Sequence, residues 1–125
     1  MKKALLVKTD FEIEAVELPS EDSYFNNKVH ELLDCELYEP AGLLYGYVAL
    51  VDESGKLKLK QINHLASVLY PSINDILVGD VLITKIGYED EESNFISLSD
   101  SDITMLTNVL NRTKNIIGEG AGSDE

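Results

Sequence analysis

Three lysines, Lys56, Lys58 and Lys60, alternate with Leu57 and Leu59, and Asn63 and His64 follow directly. Upstream, across what reads as a tight turn at Glu53-Ser54-Gly55, stand Tyr45 and Tyr47. Side chains on a β-strand alternate with a period of two, so a strand here would put the ammonium groups on one face and the leucines on the other. Lysines, an imidazole, an amide and a phenol together can bind an anionic small molecule such as a nucleotide. The ligand site expected on this ground is Lys56, Lys58, Lys60, Asn63, His64 and Tyr47. The plainer reading of the same pattern is an edge strand that its lysines guard against pairing with other chains, and it outweighs the ligand reading.

Other chemistry has less to stand on. His30 and His64 are the only histidines, and no HxxxH or CxxC spacing exists, so no metal site is expected. Ser67 lies near His64, but there is no Gly-x-Ser-x-Gly elbow for a serine nucleophile. Cys35 is the single cysteine, which excludes an internal disulfide and fits a reducing cytosol. The glycines of Gly118-Glu119-Gly120-Ala121-Gly122 follow no strand, so they are not a phosphate-binding loop. Asn63 reads better as the N-cap of a short helix than as a catalyst. No catalytic residue and no cofactor is expected.

The elements that must position these residues can be read in order. Lys3 to Lys8 is a first strand, and Phe11 to Leu18 returns, with a bulge at Ala15 or Val16 to restore its alternation. Phe25, Val29, Leu32 and Leu33 form an amphipathic stripe on a helix from Asp22 to Leu33. Cys35 to Glu39 reads as a short strand and Pro40-Ala41-Gly42 as a loop. Tyr45 to Val51 is an uncharged apolar run, the mark of a strand covered on both faces. The half-buried lysine strand comes next. A short helix carries Ile62, Leu65, Ala66 and Leu69 and ends before Pro71, and Val81-Leu82-Ile83 is a buried strand. After a short strand at Phe95 to Leu98, Ser99 with Asp102 forms a capping signature for a helix running to about Lys114.

Gly55-Lys56-Leu57, Asn63-x-x-Ala66, Leu69-Tyr70 and Asp75-Ile76-Leu77-Val78-Gly79-Asp80-Val81-Leu82-Ile83 together resemble the small-protein family catalogued as domain of unknown function 3846. Lys3 to Val7 and Ile96 to Asp100 fit the same layout, so the resemblance runs to about Leu110. The Asn-x-x-Ala and Val-Gly-Asp-Val motifs are more specific as a pair than either is alone. The resemblance implies a setting in bacteriophages, plasmids and conjugative elements, and implies no activity. The chain departs from the family pattern in a longer segment from Cys35 to Leu44 and in the acids Glu89 to Glu92.

The formal charge is −13 over 125 residues. Phosphate contacts need a basic surface, so direct nucleic-acid binding is excluded. The acids cluster: ten lie between Asp10 and Glu39 against Lys28 alone, and Glu89-Asp90-Glu91-Glu92 is a second group. The bland reading is solvated acidic loops; the sharper one is a surface that imitates DNA phosphate and binds a protein partner through Glu89, Asp90, Glu91 and Glu92. No apolar run approaches twenty residues, so no membrane span is expected. The apolar part of Met1 to Val7 is too short for an export signal, which places the protein in the cytoplasm.

The expectation is thus one α+β domain over residues 1–117, followed by a flexible acidic tail over 118–125. A bent, mainly antiparallel sheet is packed by two longer helices, with a short helix closing one end. The expected function is a non-catalytic accessory protein of a bacteriophage or mobile element that binds a host protein, with anti-defence as one setting and a homo-oligomer as an open state. Alternatives are a sponge that sequesters a nucleotide immune signal and an acidic DNA mimic.

Overall fold

Ala4-Leu5-Leu6-Val7 alternates between two faces of a strand, and all four residues are buried. That requires a sheet covered on both sides. The computed structural model describes the backbone of residues 1–89 and 92–123 and the side chains of residues 1–87 and 95–117. The strands are β1 (Lys2–Val7), β2 (Ile13–Leu18), β3 (Tyr38–Gly42), β4 (Tyr47–Asp52), β5 (Val81–Glu89) and β6 (Glu92–Ile96). The helices are α1 (Asp22–Leu33), the short α2 (His64–Ser67) and α3 (Asp100–Ser123). The sheet runs β2-β1-β5-β4-β3 with β6 paired to the far half of β5, and every pairing is antiparallel. The protein is a single α+β domain of the expected class.

The two faces carry separate cores. Ala4, Leu6, Leu18, Val48, Leu50 and Leu82 pack against Phe25, Val29 and Leu33 of α1. Leu5, Val7, Ala49, Val81 and Ile83 pack against Leu65 of α2 and Leu106 and Leu110 of α3. The long helices therefore lie on opposite sides of the sheet, a three-layer arrangement. The central strands β1, β4 and β5 read as unbroken apolar runs because neither of their faces meets water.

Of the α1 stripe, Phe25, Val29 and Leu33 are buried and Leu32 is partly buried, and α1 begins and ends at Asp22 and Leu33. Ser99 and Asp102 cap α3 reciprocally: the Asp102 N–H donates to Ser99 Oγ at 3.0 Å, and the Ser99 N–H donates to Asp102 Oδ2 at 2.9 Å. The helix continues past Lys114 to Ser123. The side chains of 118–125, where a flexible tail was expected, lie outside the described residues.

Three local readings are corrected. β2 has no bulge: its register with β1 is one-to-one from Lys2↔Leu18 to Val7↔Ile13. Ile13 serves one core and Val16 and Leu18 the other, so the strand keeps its alternation and changes the face it covers. β3 starts at Tyr38 and includes Pro40, which an edge strand tolerates. Residues 56–60 form no strand. β4 is already paired on one side with β3 and on the other with β5, so a hairpin partner has no edge left to bind. The segment curls into a helical turn instead. Leu59 takes a left-handed φ of 58°, its N–H bonds Lys56 O, and the Lys60 N–H bonds Gly55 O, which is a Schellman closure. Leu57 and Leu59 are consequently 89% and 88% exposed, and not the inner face of a strand.

Candidate functional site

Asn63 is fully buried, and its side chain makes three hydrogen bonds. Its Oδ1 accepts from the Ala66 N–H at 3.0 Å, capping α2 as its position predicts. Its Nδ2 donates to Val7 O at 2.8 Å and to Gly79 O at 3.0 Å. Gly79 has a φ of +76°, and an added Cβ there would meet Lys60 Cδ at 3.0 Å, so both backbone shape and space call for glycine. The next residue, Asp80, accepts from the Thr9 N–H at 3.0 Å. Asn-x-x-Ala and Val-Gly-Asp-Val are thus two halves of one knot. It ties α2, the entry to β5 and the end of β1 together, which is the physical reason for the two motifs to occur together.

Asp52 is the second hub. It stands at the end of β4 and is buried, and Lys58 Nζ and Lys60 Nζ reach its Oδ2 at 2.9 and 2.8 Å. The Ser54 N–H donates to its Oδ1 at 2.9 Å. Burial pushes this carboxyl up, but the hydrogen bonds from Lys60, Lys58 and Ser54 outweigh that and hold it at about 2. Lys60 Nζ also donates to Leu33 O and Asp34 O, both at 2.9 Å. These carbonyls close the C-terminus of α1, where the helix dipole favours a cation. Lys56 pairs instead with Asp75, which also accepts from Tyr70 Oη. The lysines therefore do not form a free basic strip: each meets a carboxylate of the chain itself.

His64 and Tyr47 lie elsewhere. The His64 ring is exposed and stacks on Phe11, with centroids 6.3 Å apart and planes 6° from parallel. Tyr47 is buried under α3 and donates from its hydroxyl to Asp102 Oδ1 at 2.7 Å. Lys85 Nζ stands 6.0 Å from the Tyr47 ring centroid and 3.6 Å from Asp102. Burial, and then the Asp102 carboxylate, push the Tyr47 phenol up to about 12. Asp102 is held at about 2 by the Tyr47 hydroxyl and the Ser99 N–H. Tyr45 is 76% exposed. The six expected ligand residues are thus spread over at least three places. The acids Asp90 and Glu91, and the side chains of Glu89 and Glu92, lie outside the described residues.

Among the described residues, every buried side-chain nitrogen or oxygen has a hydrogen-bond partner, and no group of histidine, cysteine or acidic residues could hold a metal ion. No helix among the described residues is long and apolar enough to cross a membrane. What reading the sequence missed is apolar. Ile73 is 95% exposed in the loop before β5, beside the exposed Leu57 and Leu59 loop. The Lys56–Asp75 ion pair joins the two loops. No spacing in the sequence marks these positions, because Leu57 and Leu59 alternate as a buried strand face would.

Fold and polar clusters define a three-layer α+β domain in which Asn63, Asp52, Lys56, Lys58 and Lys60 pin the chain's own loops. The family model described as Domain of unknown function (DUF3846) matches residues 1–111, and the chain belongs to that family. No curated protein and no solved structure matches the chain.

Proposed function

We propose that this is a non-catalytic accessory protein of a bacteriophage or mobile element. It works in the host cytoplasm and docks a host protein through the paired loops 53–60 and 71–76. The observation that carries this reading is the exposure of Leu57, Leu59 and Ile73, the two leucines on a loop that is firmly held. The Schellman closure and the Asp52 hub hold that loop, and the exposed Lys56–Asp75 pair links it to the loop of Ile73. Aliphatic side chains kept in water at a cost, two of them on a loop already ordered, suit a docking surface that loses little entropy on binding. The setting in mobile elements rests on the family resemblance.

Nucleotide sequestration has less support. An anion at Lys58 or Lys60 must displace the Asp52 carboxylate and, at Lys60, the carbonyls of α1. For DNA mimicry, the binding acids expected, Glu89 to Glu92, have side chains outside the described residues. The test is affinity capture with the full chain from lysate of its natural host. A host protein retained by the wild type and by Ile116→Ser, and lost by Leu57→Ser/Leu59→Ser/Ile73→Ser at an unchanged melting temperature, supports docking by these loops. Equal capture by the triple variant refutes it. Stabilisation of the wild type by mono-, di- or cyclic nucleotides in a thermal-shift screen would favour the sponge instead.

A further inference from the structure

At the opposite end of α1 from Lys60, a cleft of about 260 Å³ opens between the helix and the sheet. This is below the ~300–1,000 Å³ typical of pockets for drug-sized ligands, so its occupant is smaller than those. The walls are aromatic. Phe25 and Phe95 stack with centroids 5.9 Å apart, and Tyr38 stands beside them. Two opposite charges also line it. Lys2 Nζ lies 5.5 Å from the Phe25 ring centroid, and Asp22 is exposed on the first turn of α1. Among the described residues, neither makes an ion pair or a side-chain hydrogen bond, in a chain where Lys56, Lys58 and Lys60 all do. Asn26 accepts a hydrogen bond from the Tyr38 hydroxyl on its Oδ1, and its amide N–H donors have no partner among the described residues.

We infer that this cleft binds a small zwitterion with an apolar body, the class to which free α-amino acids with large apolar side chains belong. The ligand carboxylate meets Lys2 and the Asn26 amide donors, its ammonium meets Asp22, and its side chain packs on the half-buried rings of Phe95 and Tyr38, Phe25 itself being 5% exposed. The overall charge selects for this class. At −13 the protein repels an anion and holds a cation loosely anywhere on its surface. A ligand without net charge gains only where both of its charges are matched, and the cleft presents one of each sign. This site is separate from the docking loops and does not depend on them.

The test is titration of the isotope-labelled full chain with L-phenylalanine and L-leucine, followed by amide NMR shifts. The expected shifts centre on Asp22, Phe25, Asn26, Tyr38 and Phe95. Phenethylamine and 3-phenylpropionate, which each lack one charge, should bind about tenfold more weakly or worse, the worth of one charge-assisted hydrogen bond. Lys2→Gln should weaken phenylalanine and leave phenethylamine unchanged, and Asp22→Asn should weaken phenylalanine and leave 3-phenylpropionate unchanged. The analogue series on the wild-type protein stands even if a variant folds poorly. Equal binding of the singly charged analogues, shifts that map elsewhere, adenosine binding in the cleft without amino-acid binding, or no binding by either amino acid would each overturn the inference.

Discussion

Replacing Asn63 by alanine removes three buried hydrogen bonds at once: the cap on α2 and the two donors to Val7 O and Gly79 O. A lost cap costs about 1 kcal/mol, and each of the two buried carbonyls left without its donor about 1–2 kcal/mol. The sum is roughly 3–5 kcal/mol, a large part of the ~5–15 kcal/mol that holds a domain together. With 125 residues and about 2.1 cal/mol/K of unfolding entropy per residue, stability changes by about 0.26 kcal/mol per degree near the midpoint. The melting temperature should therefore fall by about 10–20 °C, as read by circular dichroism or calorimetry. Asn63→Asp separates the cap from the knot. Aspartate still caps α2, but it has no N–H donors and sets a buried negative charge against two carbonyl oxygens. It should be at least as damaging as alanine. An aspartate variant that melts with the wild type would refute the reasoning and reduce Asn63 to a cap.

Three further outcomes follow from the same structure. Asp52 and Asp102, held at about 2, favour the folded state while ionised, so their contribution is present above the ordinary carboxyl range and is lost as pH falls from about 4 to 2; urea titrations across that range should show a loss of stability that Asp52→Asn reduces, at a cost near neutral pH of about 1–3 kcal/mol. Tyr47, pushed up to about 12, keeps its proton in the fold, so its contribution persists below about pH 10 and is lost by about pH 12; ultraviolet titration should show a late-ionising phenol that Tyr47→Phe abolishes. Leu82→Asp puts an unpaired carboxylate near the start of β5, where Leu82 is fully buried between Leu6 of β1 and Leu50 of β4, and should unfold the domain; a dispersed NMR spectrum with an unchanged melting point would show that the strand is not internal.

Residues 22–33, most of 45–51, 81–83 and 99–102 were legible because what decides them is local. A stripe at helical spacing, an apolar run and a cap are each complete within about a dozen residues; the structure places the helix and the cap as read and starts the apolar strand at Tyr47, with Tyr45 and Gly46 in a tight helical turn before it. The role of Asn63 as a cap was legible for the same reason, since its acceptor serves an N–H three residues on. Its other two partners lie 56 and 16 residues away in sequence, and no spacing encodes them. The lysine segment shows where local pattern stops. Lys56 to Lys60 alternates as a strand should, yet strand formation needs a free edge, and the far-off arrivals of β3 and β5 take both edges of β4. Once the strand is denied, the lysines turn to whatever acceptors the fold supplies: Asp52, Asp75 and the carbonyls at the end of α1. The alternating leucines are left in water. Chemical type was set by sequence alone; which charges are spent inside the fold and which remain for a partner was decided by long-range pairing, because only that determines which acceptors come within reach.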